Sequence, residues 1–279
     1  MENKKVWFIT GASKGLGLSL VKKLLTEGYR VAATSRNLSD LTKAVDNHTD
    51  QFLPLAVNLK NEESVQEGIE KAISTFGKID VVVNNAGYGL LGGIEELTDA
   101  EARDNFEVNV FGSLNVIRKV LPHLRQQQSG HILNVSSIGG FTGAFAGAGI
   151  YCATKFAVNG LSETLSAEVK PFGIKVTIVQ PGYFRTSFLS KESLVVPKNQ
   201  IDAYQNVRDT VNIHQNGLDG QQAGDPEKAA AAIIKIVADP NPPLNLFLGA
   251  DAYGLANEKI ASVKNDLEAW KELTTSTGF

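Results

Sequence analysis

A chain of 279 residues, 43% apolar and 20% charged, carries enough hydrophobic material for a sizeable core and is not a disordered polymer. Its net charge of -3 gives no footing on nucleic acid or an anionic membrane. The single cysteine, Cys152, excludes an intramolecular disulfide, and no run reaches the ~20 apolar residues of a spanning helix. The start Met-Glu-Asn-Lys-Lys runs straight into a strand-like segment with no apolar leader. The expectation is a single-domain cytoplasmic protein, residues 1–279, without nucleic-acid or membrane partners.

In chain order, short β-rich runs alternate with longer helical ones. Strand Val6–Thr10 leads through a Gly-rich turn into helix Leu16–Glu27, and strand Arg30–Thr34 into helix Leu38–Val45. Strand Phe52–Val57 precedes a helix over Glu62–Phe76, for which Asn61 is a suitable cap. Asp80–Val83 is a continuous apolar run of the kind a strand buried on both faces shows. A long helix over Ala100–Leu124, strand His131–Val135, helix Ile150–Val169 and a sixth strand Ile174–Val179 follow, with a seventh strand at Leu244–Leu248. Strands separated by helices predict βαβ units. The expected fold is therefore α/β, a Rossmann-type doubly wound parallel sheet whose ligands bind beyond the carboxyl ends of the strands.

Ser187–Gly224 breaks this alternation: it is polar, with scattered apolar positions and no strong strand. A connection this long after the sixth strand is expected to form a partly helical lid over the ligand edge, the alternative being a mobile insertion. Six aromatics, Tyr88, Phe141, Phe145, Tyr183, Phe184 and Phe188, fall in segments that should border that edge. They favour an apolar or ring-containing substrate, unless several of them simply pack beneath the lid.

Several segments carry the chemistry. Thr10-Gly11-Ala12-Ser13-Lys14-Gly15-Leu16-Gly17 sits between the first strand and the first helix. Its glycines let the backbone approach a diphosphate, and the helix N-terminus offers free N–H groups and a positive dipole end. No Gly-Lys-Ser/Thr closes it, so it is not a P-loop. Asn84-Asn85-Ala86-Gly87 follows the fourth strand, where small residues admit a ligand and the amides can bind backbone or cofactor. Asn109 lies inside the long helix, an unfavoured place for an amide, and either faces solvent or bonds something specific. Ser136-Ser137 ends the fifth strand, and Tyr151 and Lys155 stand four residues apart at the start of a helix. At that spacing both side chains lie on one face. A neighbouring ammonium is expected to bring the phenol, ordinarily near pH 10, towards a pKa useful for proton transfer. Pro181-Gly182-Tyr183-Phe184-Arg185-Thr186 ends the sixth strand, where Thr186 can meet a polar ligand group.

Taken together, these segments resemble the short-chain dehydrogenase/reductase family, in its hydroxysteroid-dehydrogenase-like branch, from Lys5 to about Gly182 and more loosely to about Ala250. The resemblance implies a nicotinamide dinucleotide held by the Gly-rich turn (Gly11, Ser13, Lys14, Gly15, Leu16, Gly17) and by Tyr151 and Lys155. It places Asn85, Ala86 and Gly87 on the adenosine side, with Asn58 and Leu59 nearby, and Pro181, Gly182 and Thr186 on the nicotinamide side. It makes Tyr151 the proton donor or acceptor and Ser137 the group that orients the carbonyl. Lys155 would bind ribose and lower the phenol pKa, and Asn109 would hold a water that relays protons. It further implies a homodimer or homotetramer built through the helices around Asn105–Leu124 and Ile150–Val169. Two departures stand out. Fourteen residues separate Ser137 from Tyr151, one more than in the family, and Asn58 replaces the more usual aspartate at the adenine.

A dinucleotide fold that prefers NAD places an acid after the second strand, but here that strand ends Thr34-Ser35-Arg36-Asn37. Ser35, Arg36 and Lys14 suit the 2′-phosphate of NADP, so NADPH is expected to be preferred over NADH. The predicted activity is an NADP-dependent oxidoreductase that interconverts a ketone or aldehyde and an alcohol by hydride transfer, with tyrosine as general acid/base. A small-molecule carbonyl or alcohol substrate of apolar character is expected, and no residue is assigned to a metal. C=C reduction is a runner-up within the fold. A non-catalytic dinucleotide-binding regulator or scaffold is the alternative from another class.

Overall fold

A computed structural model describes residues 4–47 and 49–279. Met1–Asn3, on which the expectation about the start of the sequence partly rests, lie outside the described residues.

The strands of the main sheet are β1 (Val6–Ile9), β2 (Arg30–Ser35), β3 (Phe52–Ala56), β4 (Val81–Asn84), β6 (Gly130–Val135), β7 (Ile174–Pro181) and β9 (Asn245–Leu248). They form one seven-stranded sheet in the order β3-β2-β1-β4-β6-β7-β9, and every pairing is parallel. The order reverses between β1 and β4, which opens a crevice at their carboxyl ends. Two short strands that the sequence pattern does not reveal, β5 (Gly89–Leu90) and β8 (Leu194–Val195), pair in a separate two-stranded ribbon above this edge. Two residues are too few to carry an alternation signal.

Period-two alternation of apolar side chains sends successive residues of each strand to opposite layers. Trp7, Ile9, Val81, Val83 and Leu133 join one core cluster with helices α1 (Gly15–Thr26), α2 (Leu38–Val45) and α8 (Pro226–Ala238). Val6, Phe8, Val82 and Ile132 join the other with α3 (Glu62–Phe76), α5 (Gly112–Gln127) and α6 (Gly149–Val169). All these strand residues are buried, which is why β4 reads as an unbroken apolar run. The expected cap of α3 is in place: Asn61 Oδ1 accepts from Ser64 N at 2.8 Å.

The long helix expected over residues 100–124 is longer and interrupted. α4 (Asp99–Phe106) opens on a Thr98/Glu101 capping box, and a π-helical turn at Glu107–Phe111 joins it to α5. After β7 the chain makes a 3₁₀ turn at Ser187–Leu189, β8, helix α7 (Gln205–Asn212) and a second π-helical turn at Ile213–Leu218. α9 (Ala250–Ala269) and α10 (Lys271–Thr275) end the chain; their sequence lies beyond the predicted elements.

Candidate active site

The carboxyl ends of β1, β2, β4, β6 and β7 converge on one cavity of ≈ 1210 Å³. Every predicted site residue lines it except Gly17 and Asn109. Five of the six predicted aromatics line it as well. Phe141 does not: its ring packs edge-on against Phe247 at 5.1 Å in a cluster with Ile138. The 3₁₀ turn at Ile138–Gly140 carries it towards α9, away from the cavity.

At the glycine turn, close packing determines which residues fit. A Cβ on Gly11, whose φ is +65°, would stand 2.6 Å from Ala86 Cα. One on Gly17 would stand 2.5 Å from Asn85 Nδ2 and 2.6 Å from Gly11 O. Asn85 is the staple that holds this loop to β4: Nδ2 donates to Thr10 O (3.0 Å) and Gly11 O (2.9 Å), and its N–H donates to Thr10 Oγ1 at 3.1 Å. α1 begins at Gly15 with no side-chain cap and no acid in its first turn. A helix N-terminus so arranged is an anion site, and it suits a dinucleotide diphosphate.

Beside it, Ser35 Oγ donates to Ser13 Oγ at 3.3 Å, and Arg36 is exposed on the cavity wall. Arg36 lies near enough to Tyr88 and Asp104 for its charge to bias both. Asp104 pairs with Lys60 and accepts from Tyr88 Oη at 2.9 Å. Burial, then that hydrogen bond, pushes Tyr88 up to about 12. Lys14 Nζ stands 4.0 Å from Glu192, an exposed pair spanning the glycine turn and the segment after β7. Asn58 Oδ1 accepts from Lys60 N at 3.2 Å, an Asx contact that an aspartate would make equally well.

The catalytic candidates meet where β6 ends and α6 begins. Ser136 is buried and donates to Lys155 O at 3.1 Å, whereas Ser137 Oγ accepts from Gly139 N at 3.0 Å and lies near the Tyr151 hydroxyl. The structure thus separates the two serines: one braces α6 and the other faces the phenol. Lys155 is buried, donates to Val135 O at 2.9 Å and lies 5.8 Å from the Tyr151 ring centre. Burial holds its ammonium down to about 8. The phenol differs from the sequence expectation. Burial raises its pKa well above the ordinary value and outweighs the lowering from nearby Ser137. At neutral pH Tyr151 therefore carries its proton.

Asn109 sits in the π-helical turn, fully buried, and does not face solvent. Its Oδ1 accepts from Tyr88 N (3.0 Å), and Nδ2 donates to Tyr88 O and Thr154 Oγ1 (both 3.1 Å). The amide therefore fixes the backbone of the β4 loop against α6.

Three contributors escape the sequence reading. His214, in the second π-helical turn, and Gln222 line the cavity from the segment after β7. Glu96, buried, ties that segment down: it accepts from Gly93 N (2.7 Å) and Ile201 N (2.8 Å) and pairs with Arg208. Ile201 and Arg208 lie more than a hundred residues away, so no local spacing announces them.

The short chain dehydrogenase family model matches residues 5–194. Oxidoreductase BOA17 of Botryotinia fuckeliana is 36% identical over 98% of this chain and 99% of its own length. The 3-ketodihydrosphingosine reductase of Bacteroides thetaiotaomicron is 38% identical over 88% of each chain. A solved short-chain dehydrogenase from Streptomyces avermitilis superposes with a TM-score of 0.88 at 36% identity, covering 98% of this chain and all of that one. The chain belongs to the short-chain dehydrogenase/reductase family and is an NAD(P)-dependent oxidoreductase.

Proposed function

We propose that this chain is an NADP-dependent carbonyl reductase acting on apolar ketones or aldehydes, with the alcohol oxidation as its reverse. The observation that carries the reading is that Tyr151, Ser137 and the buried Lys155 line the same cavity as the glycine turn at the uncapped N-terminus of α1. When bound, the dinucleotide supplies the hydride.

The chain's own residues do the rest. Ser137 Oγ orients and polarises the substrate carbonyl, and Tyr151 Oη gives its proton to the carbonyl oxygen as negative charge grows there. Lys155, charged below about pH 8, binds the nicotinamide ribose and stabilises the phenolate left behind. With its amide committed to Tyr88 and Thr154, Asn109 would hold a relay water for Lys155 only through its backbone carbonyl, which also accepts from Ser113 Oγ at 3.4 Å. Gly11, Gly15 and the N-terminus of α1 receive the diphosphate, while Pro181, Gly182 and Thr186 line the nicotinamide end. Arg36, Ser35 and Lys14 receive the 2′-phosphate, and the end of β2 carries no carboxylate to repel it.

The segment Ser187–Gly224 acts as the substrate lid; Phe188, Leu189 and Leu194 contribute its apolar inner face. Phe111 and Phe156, each 44% exposed on the helical stretches expected to pair, suit burial in a homodimer. Light scattering at micromolar concentration should show the dimer or a tetramer. The activity itself is tested by following NADPH and NADH oxidation against a panel of apolar ketones and aldehydes. Turnover faster with NADPH supports the reading, and absence of turnover with every carbonyl overturns it.

A further inference from the structure

The lid side of the cavity is walled by Leu91, Phe145, Phe188, Leu189 and Leu194. A polar pair, Tyr183 and His214, is set into the same wall. Tyr183 follows directly on β7 and its position is pinned, since its N–H donates to Asp251 Oδ2 at 2.7 Å. It lies near enough to Tyr151 for the two phenols to feel each other's charge.

The hydrogen-bond directions in the pair follow from chemistry. His214 Nδ1 is 2.7 Å from Thr210 O, and a carbonyl oxygen has no proton to give. Nδ1 therefore carries the hydrogen, and Nε2 of the neutral ring is an acceptor. Tyr183 Oη, 2.9 Å from Nε2, donates its only proton there. What the Tyr183 oxygen has left to offer the cavity is lone pairs. An oxygen limited to accepting discriminates between ligands, because it rewards a donor and leaves a second acceptor unpaired.

We propose that Tyr183 is a specificity-determining residue that accepts a hydrogen bond from a hydroxyl on the substrate, held in that role by His214, so that hydroxylated apolar ketones are preferred over plain ones. The proposal rests on the carbonyl-reductase reading and adds the substrate class to it.

The test measures NADPH-dependent kcat/KM on methyl octyl ketone, on its isomers hydroxylated at successive chain carbons, and on the diketones that carry a second carbonyl in place of that hydroxyl. One hydroxylated isomer should exceed the plain ketone by about threefold to tenfold, the worth of one neutral hydrogen bond, expressed in KM. In Tyr183→Phe that ratio should collapse to about one, whatever happens to the absolute rates. His214→Leu, which releases the phenol proton, should let the matching diketone gain on the plain ketone. Imidazole nitrogen NMR of the wild type should show His214 protonated at Nδ1, a readout that needs no turnover. A ratio that survives Tyr183→Phe, a wild type indifferent to hydroxylation, or a His214 proton on Nε2 overturns the proposal. Failure of the underlying reading has a different signature: no NADPH oxidation with any ketone while the Nδ1 tautomer is observed, which removes the substrate preference with it.

Discussion

Replacing Gly17 with alanine adds a single methyl group, and the structure says what that group meets. Its Cβ would stand 2.5 Å from Asn85 Nδ2 and 2.6 Å from Gly11 O, both closer than carbon tolerates. Gly11 O is backbone in a loop held from the other side by Ala86, so the side chain of Asn85 must yield first. Moving it breaks the bonds to Thr10 O and Gly11 O. Two neutral hydrogen bonds contribute about 1–3 kcal/mol together, and the glycine turn they hold is the proposed diphosphate site. NADPH affinity of Gly17→Ala, measured by isothermal titration, should therefore fall about tenfold to a hundredfold while the fold persists by circular dichroism. Asn85→Ala should lose part of the same affinity, and the double variant should lose less than the sum of the two. An alanine variant that binds NADPH within about twofold of wild type, or strict additivity with Asn85→Ala, would refute the staple.

The remaining expectations follow from charge and burial. Arg36→Asp removes the proposed 2′-phosphate partner and adds repulsion, also towards Asp104; NADPH affinity should drop at least about tenfold and NADH affinity hold or rise, by titration of both cofactors. Lys155→Met should stop turnover yet raise the melting temperature at pH 7. Burial lowers the Lys155 pKa from 10.5 to about 8, so the charged form costs the fold roughly 3 kcal/mol below pH 8, a penalty that fades between 8 and 10.5. The gain should shrink accordingly when melting is repeated at pH 10. His131, buried between β4 and β7 with its pKa pushed from 6.5 to about 4, works in the acid range. The unfolded chain takes up its proton first, so stability is intact above pH 6.5 and falls by roughly 3 kcal/mol towards pH 4. Urea unfolding at pH 7 and 4.5 should show that loss in wild type and a smaller one in His131→Gln.

The main sheet was legible because its strands are short apolar runs separated by helical stretches, with β-branched residues concentrated in β1, β4, β6 and β7. Val81–Val83 could hardly be anything but a doubly buried strand, and Asn61 announced α3 through a side-chain oxygen one residue before it. The glycine turn, Ser137, Tyr151 and Lys155 were legible for another reason: each sits at a strand end or helix start, where spacing along the chain translates directly into position in space. What the sequence could not reveal depends on partners far along the chain. The π-helical turn at Asn109 forms because its amide finds Tyr88 and Thr154, and nothing within the helix signals either. Glu96 looks like a surface acid until Arg208 and Ile201 close over it. Phe141 resembled a pocket aromatic because its segment borders the cavity, yet one 3₁₀ turn delivers its ring to Phe247. The phenol pKa was misjudged in sign because spacing shows that Lys155 is near and cannot show that the Tyr151 hydroxyl is buried.

The central claim is that the Tyr151 hydroxyl delivers the proton to the carbonyl oxygen, and one comparison tests it most directly: kcat for ketone reduction and NADPH affinity in wild type and in Tyr151→Phe. The substitution removes one oxygen and keeps the ring that packs against Phe188 at 6.0 Å. Cofactor affinity should stay within about threefold, while kcat falls by at least the ~10²–10⁴-fold that general acid catalysis contributes. A phenylalanine variant that binds NADPH normally and reduces the ketone at near wild-type rate would contradict the account.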